Sequence, residues 1–163
     1  MPDAVVDPVD FRNAMARFPS GVTVVTTRTD GHGAAGFTAS AFSSLSLDPP
    51  LVLVCLDKRA DCYDAFATAA QFAVSFLTVN QVDVGMRFAT KGIDKFEGQP
   101  TIPGPLTGLP LIPDALVHLE CDTHDRVDGG DHTIFVGKVL RAAVHEGEPL
   151  VHFNRTFGRF TAV

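Results

Sequence analysis

The chain has 163 residues, 45% of them hydrophobic and 20% charged, with a formal net charge of -6. That is enough chain and enough apolar side chain for a single domain over 1–163 with a real core. The acidic balance excludes a general nucleic-acid binder, which needs a basic face. Thirteen Phe against one Tyr and no Trp put the aromatic area into rings without a polar handle, which suits a dry core or interface. Cys55, Cys62 and Cys121 are an odd set without a CxxC pair and read as reduced, mostly buried thiols, with no metal site implied. No basic-then-apolar leader and no apolar run of roughly 18 residues is present. The expectation is a cytoplasmic protein without a membrane partner.

Along the chain, the acidic, proline-bearing stretch from Met1 to Val9 is expected to be loose. Asp10 can cap a helix to about Phe18, with Phe11, Ala14, Met15 and Phe18 on one face, and Pro19-Ser20-Gly21 stops it. Val22 to Thr27 is β-branched at every position and reads as a strand. The Asp30-Gly31-His32-Gly33 turn returns Ala35 to Ala41 as its partner. Asp48-Pro49-Pro50 breaks regular structure. Leu51 to Leu56, apolar throughout, reads as a strand buried on both faces.

Asp61 to Ala70 is patterned as a helix with Tyr63, Phe66, Ala67 and Ala70 on one stripe. Phe72 to Val79 alternates as a strand, and Asn80 can cap a helix to about Ala89. The glycine- and proline-rich stretch 91–113 is an ordered excursion of the kind that serves as a lid or a dimer contact. Leu116 to Val127, Thr133 to Val144 and a start at Pro149 to Phe153 supply further strands. Strands in hairpin-like succession, without βαβ alternation, predict a mainly β fold with flanking helices, built as an antiparallel barrel.

Several stretches can carry chemistry. In Gly36-Phe37-Thr38-Ala39-Ser40-Ala41, small side chains let a flat ligand approach the backbone; cross-strand contacts by Thr and Ser are the alternative use. Lys58-Arg59-Ala60-Asp61 precedes a helix, so it is either an anion site or a solvated loop. Arg87-Phe88 can hold a phosphate, stack on a ring, or simply suit a helix C-terminus. Gly129-Gly130-Asp131 makes a turn that presents His132 as a general acid, as a donor to a cofactor amide, or as a partner of Asp131. Asn154 to Phe160 either orders over a ligand or frays. There is no P-loop, GxSxG, HExxH or post-strand GxGxxG, so the chemistry belongs to a bound organic cofactor.

Phe11 to Thr27, Gly36 to Val52, Asp94-Lys95-Phe96, Gly129 to Gly137 and Leu150 to Phe157 together resemble the flavin reductase-like family, the small reductase components of two-component flavin-dependent monooxygenases. The resemblance covers nearly the whole chain in order. It implies a homodimeric split β-barrel of the FMN-binding type. It also implies an enzyme that transfers hydride from NADH or NADPH to FMN or FAD and passes the reduced flavin to a separate monooxygenase. By matching position, the flavin lies against Ala34, Ala35, Gly36, Phe37, Thr38, Ser40 and Ala41, and meets Cys55, Leu56, Asp57, Asp61, Cys62, Arg87 and Phe88. His132 contacts the nicotinamide, with Asn154, Arg155, Thr156 and Phe157 closing over it. The last segment departs from the family pattern, because Phe157 has no hydroxyl where a tyrosine is common. Two other readings of such a barrel are a non-catalytic flavin- or haem-binding protein and a pyridoxamine-phosphate-oxidase-like enzyme. No dense basic cluster for a second phosphate favours the latter.

Overall fold

Thr23–Thr29 (β2) is where the sheet begins, and its Val24, Val25, Thr26 and Thr27 are all buried. The structure is a computed structural model that describes residues 5–163; residues 1–4 of the stretch expected to be loose lie outside it. Helix α1 covers Pro8–Met15 and starts earlier than expected. Asp7, not Asp10, caps it: its carboxylate accepts the N–H of Val9 at 2.8 Å and of Asp10 at 3.3 Å, with Pro8 in the first turn. A proline there costs nothing because its missing N–H has no helical partner. Pro8 and Val9 are therefore helical rather than loose. No α1 residue is buried, and Phe18 just beyond it is 79% exposed.

Strands Gly33–Ala39 (β3), Phe42–Ser46 (β4), Leu51–Asp57 (β5), Gln71–Phe76 (β6), Val117–Gly129 (β9) and His132–Val144 (β10) join β2 in one antiparallel sheet. Its order is β3-β2-β6-β9-β10-β5-β4. The core under it holds Val25, Phe37, Val54, Leu56, Phe66, Phe72, Val74 and Phe135. β5 is not buried on both faces. Val52, Val54 and Leu56 are buried while Leu51, Leu53 and Cys55 are only partly covered, the pattern of an antiparallel strand with one face outward.

Helix α2 is Tyr63–Thr68, and its buried side is Ala65 and Phe66, continued by Cys62 and Ala69. Ala70 is exposed, so the apolar stripe is rotated from the one expected. β6 stops at Phe76, and a 3-10 turn over Val79–Gln81 leads into α3, Val82–Ala89. Thr78 replaces Asn80 as the cap: Gln81 Oε1 accepts the Thr78 N–H at 3.0 Å in a capping box,.

The 91–113 excursion is ordered by two short paired strands, Ile102–Pro103 (β7) and Pro110–Leu111 (β8), and by one carboxylate. Glu120 of β9 is fully buried. Its Oε1 accepts the N–H of Leu106 at 3.1 Å, the N–H of Thr107 at 2.8 Å and the Thr107 hydroxyl at 2.7 Å. Arg141 Nη1 lies 3.6 Å from its Oε2. Burial pushes the Glu120 carboxyl up, but the Thr107 and Leu106 donors and the Arg141 charge outweigh it and hold the group below its ordinary value,.

A second sheet joins Ser20–Gly21 (β1), Leu150–Phe153 (β11) and Thr156–Arg159 (β12) in the order β1-β11-β12. Residues 154–159 thus form an ordered hairpin, while 160–163 beyond it have no regular structure. Asn154 and Arg155, at φ 49° and 63°, form the two-residue left-handed turn whose twist matches a hairpin. Among the described residues, no helix is long and apolar enough to cross a membrane.

Candidate functional site

The β9–β10 hairpin turns on only Gly130 and Asp131, with Gly130 at φ 78°, a conformation that suits glycine,. His132 therefore begins β10 and sits in register with Gly129 on one side and Asp57 of β5 on the other. Its Nδ1 lies 2.7 Å from Asp131 Oδ1. A carboxylate only accepts, so Nδ1 carries the hydrogen and Nε2 is the nitrogen left for a ligand. The same bond holds the Asp131 carboxyl below its ordinary value, through the hydrogen bond first and the imidazole charge second.

The end of β5 frames this turn with charge. Arg59 pairs with Asp57, Nη2 to Oδ2 at 3.1 Å, and donates its backbone N–H to Asp57 Oδ1 at 2.8 Å. These two contacts, with a smaller contribution from His132, bring the Asp57 carboxyl down to about 2. Lys58 reaches across to the turn itself. Its N–H donates to Asp131 O at 3.0 Å, and its Nζ donates to Gly130 O at 2.7 Å and pairs with Asp128.

Beyond β5 the chain enters a hollow of about 230 Å³ lined by His32, Ala34, Ala35, Gly36, Asp61, Cys62, Ala65 and the segment Ile93-Asp94-Lys95-Phe96. That segment and the residues flanking it are tied to β3, to Asp61 and to α3. Lys95 Nζ donates to Gly36 O at 3.1 Å, Gly92 N–H to Asp61 Oδ2 at 2.8 Å, and Arg87 Nη1 to Glu97 O at 3.0 Å. Tyr63, at the start of α2, places its hydroxyl 2.7 Å from the hydroxyl of Thr133, which is buried on the face of β10 opposite His132,.

The residues expected to meet a flavin thus divide by position. Ala34, Ala35, Gly36, Asp61 and Cys62 share the hollow, while Asp57 lies at the His132 turn. Ser40, Ala41 and Arg155 line a different hollow of about 570 Å³ with Phe11, Arg12 and Met15 of α1, Phe18 beyond it and His152 of β11. Asn154 N–H donates to Ala16 O at 2.8 Å and Arg155 Nη2 to Asn13 Oδ1 at 2.9 Å, which ties the C-terminal hairpin to α1. Phe37, Leu56 and Phe88 are core side chains. The Thr38 hydroxyl donates to Gly85 O at 2.6 Å and that of Thr156 to Phe153 O at 2.8 Å, so both are engaged within the chain. Cys55 is partly covered, and burial pushes its thiol up. Phe157 packs on His152 at 5.5 Å between centroids. Arg87 is turned to the loop carbonyls on the outer side of α3.

Gly36 is small for a reason local pattern does not reveal. A Cβ there would lie 2.9 Å from Phe88 Cε1 and 3.1 Å from Val25 O; the space belongs to the Phe88 ring, itself edge-on to Phe96 at 5.2 Å. Lys58, Tyr63 and Lys95 are site residues that sequence reasoning did not single out for this place. The sequence offers Lys58 only within a possible anion site at 58–61, Tyr63 only on a helix stripe, and Lys95 only within the Asp94-Lys95-Phe96 match.

Set beside known proteins, residues 15–161 match the family described as "Flavin reductase like domain". An actinorhodin polyketide dimerase of Streptomyces coelicolor is 42% identical over 148 residues, covering 90% of this chain and 83% of that one. The NADH-dependent FMN reductase SmoA of Agrobacterium fabrum is 42% identical over 153 residues, covering 93% and 85%. The solved Streptomyces globisporus NADH:FAD oxidoreductase SgcE6, in complex with NAD and FAD fragments, superposes with a TM-score of 0.90 at 39% identity, covering 96% of each chain. Further relatives carry the names of monooxygenase reductase components or subunits. With a family match over most of its length and relatives at this identity, the chain belongs to the flavin reductase-like family.

Proposed function

We propose that the protein is an oxidoreductase that uses NADH to reduce a flavin, FMN or FAD, and releases it to a separate monooxygenase. The observation that carries this is the Asp131–His132 pair presented at the tip of the β9–β10 hairpin, in a chain whose small residues Ala34, Ala35 and Gly36 floor a separate hollow. Hydride transfer between two flat rings needs no acid–base pair; it needs them held close and in register. A flavin would supply the two-electron acceptor. The chain supplies a floor of small residues at 34–36, a cation at Lys95, an apolar edge at Ile93, and His132 Nε2 to meet the nicotinamide amide. The names of relatives support the handover to an oxygenase.

The same reading makes the sheet a split barrel and the protein a homodimer. β3 and β4 are the two ends of the strand order yet are joined by Ser40 and Ala41 alone. So short a link spans at most roughly 11 Å, which draws the ends together without pairing them. A hollow of about 230 Å³ is smaller than the ~300–1,000 Å³ of sites that enclose a ligand of this size, which supports a second copy completing the wall. A solution mass of one chain by light scattering would count against the dimer.

The test is loss of NADH absorbance on adding free FMN or FAD, with and without oxygen; no turnover under either condition sinks the reductase reading. NADPH in place of NADH tests the choice of donor. His132→Ala is expected to raise KM for NADH about tenfold, one hydrogen bond's worth, with flavin affinity changed far less. Equal losses in both would make His132 a structural or flavin-holding residue instead.

A further inference from the structure

The direction in which His132 points depends on how firmly a two-residue turn is held. Past the Gly129–His132 pair the ladder offers that turn nothing more; Gly129, Gly130 and Asp131 are exposed and His132 is only half-buried. What holds it comes from one side chain and one N–H on the end of the neighbouring strand. Lys58 N–H donates to Asp131 O at 3.0 Å; its ammonium donates to Gly130 O at 2.7 Å and pairs with the Asp128 carboxylate. Asp131 in turn accepts from His132 Nδ1 at 2.7 Å.

We infer that Lys58 is a positioning residue for the nicotinamide: its ammonium fixes the 128–131 turn, the turn fixes Asp131, and Asp131 orients the His132 ring. The inference rests on the reading that His132 meets the nicotinamide. Of the two ammonium contacts, the Asp128 pair is solvated on both sides and weakly held,. The bond to Gly130 O, with a charged donor and a backbone acceptor inside the turn, carries most of the effect. A surface lysine of this kind contributes little to folding but sets where the imidazole stands, and small misplacements of a contact group weaken binding of the group it touches.

Lys58→Met keeps the stem and the backbone N–H and removes only the ammonium. It is expected to raise KM for NADH roughly fivefold, with kcat and the FMN dissociation constant each within about twofold of wild type. In the Lys58→Met/His132→Ala double variant, KM is expected to equal that of His132→Ala alone, because a positioning residue has nothing left to position. An unchanged KM in Lys58→Met, a flavin affinity lost in step with it, or additive effects in the double variant would each overturn the inference. An unchanged KM in His132→Ala alone would overturn the nicotinamide reading itself, so the two failures are told apart by that single variant.

Discussion

Glu120→Ala is expected to destabilise the protein by about 3–5 kcal/mol, the range for removing one member of a buried polar arrangement. Two effects compete for the explanation. Arg141 stands 3.6 Å away and is partly exposed, so its pairing contributes under about 1 kcal/mol. The hydrogen bonds from Leu106, Thr107 and the Thr107 hydroxyl are the larger part, because their donors stay behind without a partner, each at a cost of about 1–3 kcal/mol. Urea unfolding of Glu120→Ala beside Arg141→Met separates them: similar small losses would show that the ion pair, not the loop donors, matters. The sign of the pH dependence follows. The folded carboxyl titrates below its ordinary value of 4.5, so its contribution is fully present above that value and is lost as pH falls below it. Glu120→Gln should therefore show a flatter loss of stability between about pH 4.5 and the acid transition than wild type.

Gly36→Val carries the other large effect. Even a bare Cβ would stand 2.9 Å from the Phe88 ring and 3.1 Å from the backbone oxygen of Val25, and valine adds two methyls to that. Overpacking of this kind costs about 3 kcal/mol. The displaced ring would push on Phe96, and so on the strap that Lys95 and Gly92 tie over the hollow. Flavin affinity is therefore expected to fall at least tenfold even where the variant remains folded, about 1.4 kcal/mol of binding. Phe88→Ala alone should cost about 3–5 kcal/mol, since the ring is fully buried,. The Gly36→Val/Phe88→Ala pair should cost clearly less than the sum, because the valine fills space the ring vacates. Additive losses in urea unfolding would mean that Phe88 is not what keeps residue 36 small.

The contrast between these two sites shows what could be read in advance. Strands such as Thr23–Thr29 and the Gly130-Asp131 turn follow from β-branching and glycine, signals confined to a few residues, and the family match gathered the rest into one expectation. The caps were displaced by neighbours of the same chemistry: Asp7 is favoured over Asp10 by Pro8, and Thr78 over Asn80 by Gln81 three residues on,. Those cues were present and outcompeted the ones chosen. The partly covered outer face of β5 was not legible, because an apolar run does not say which strands flank it,. Nor were the Lys95–Gly36 and Lys58–Gly130 contacts, since each joins residues 59 or 72 positions apart. The closing strand Thr156–Arg159 is not legible because it is short and carries a glycine, and its ladder with β11 depends on a left-handed turn at two non-glycine residues, Asn154 and Arg155.

The helix α1 buries none of its residues and is fastened to the body through Asn154 and Arg155 at the hairpin turn. Regions with so little apolar cover open locally at far lower cost than a seven-stranded sheet unfolds. The hollow that α1 roofs, with Phe11, Met15 and Phe18 on its edge, is therefore governed by a latch and not by a wall. A change that strengthened those two bonds would lower local opening there while leaving the melting temperature nearly untouched.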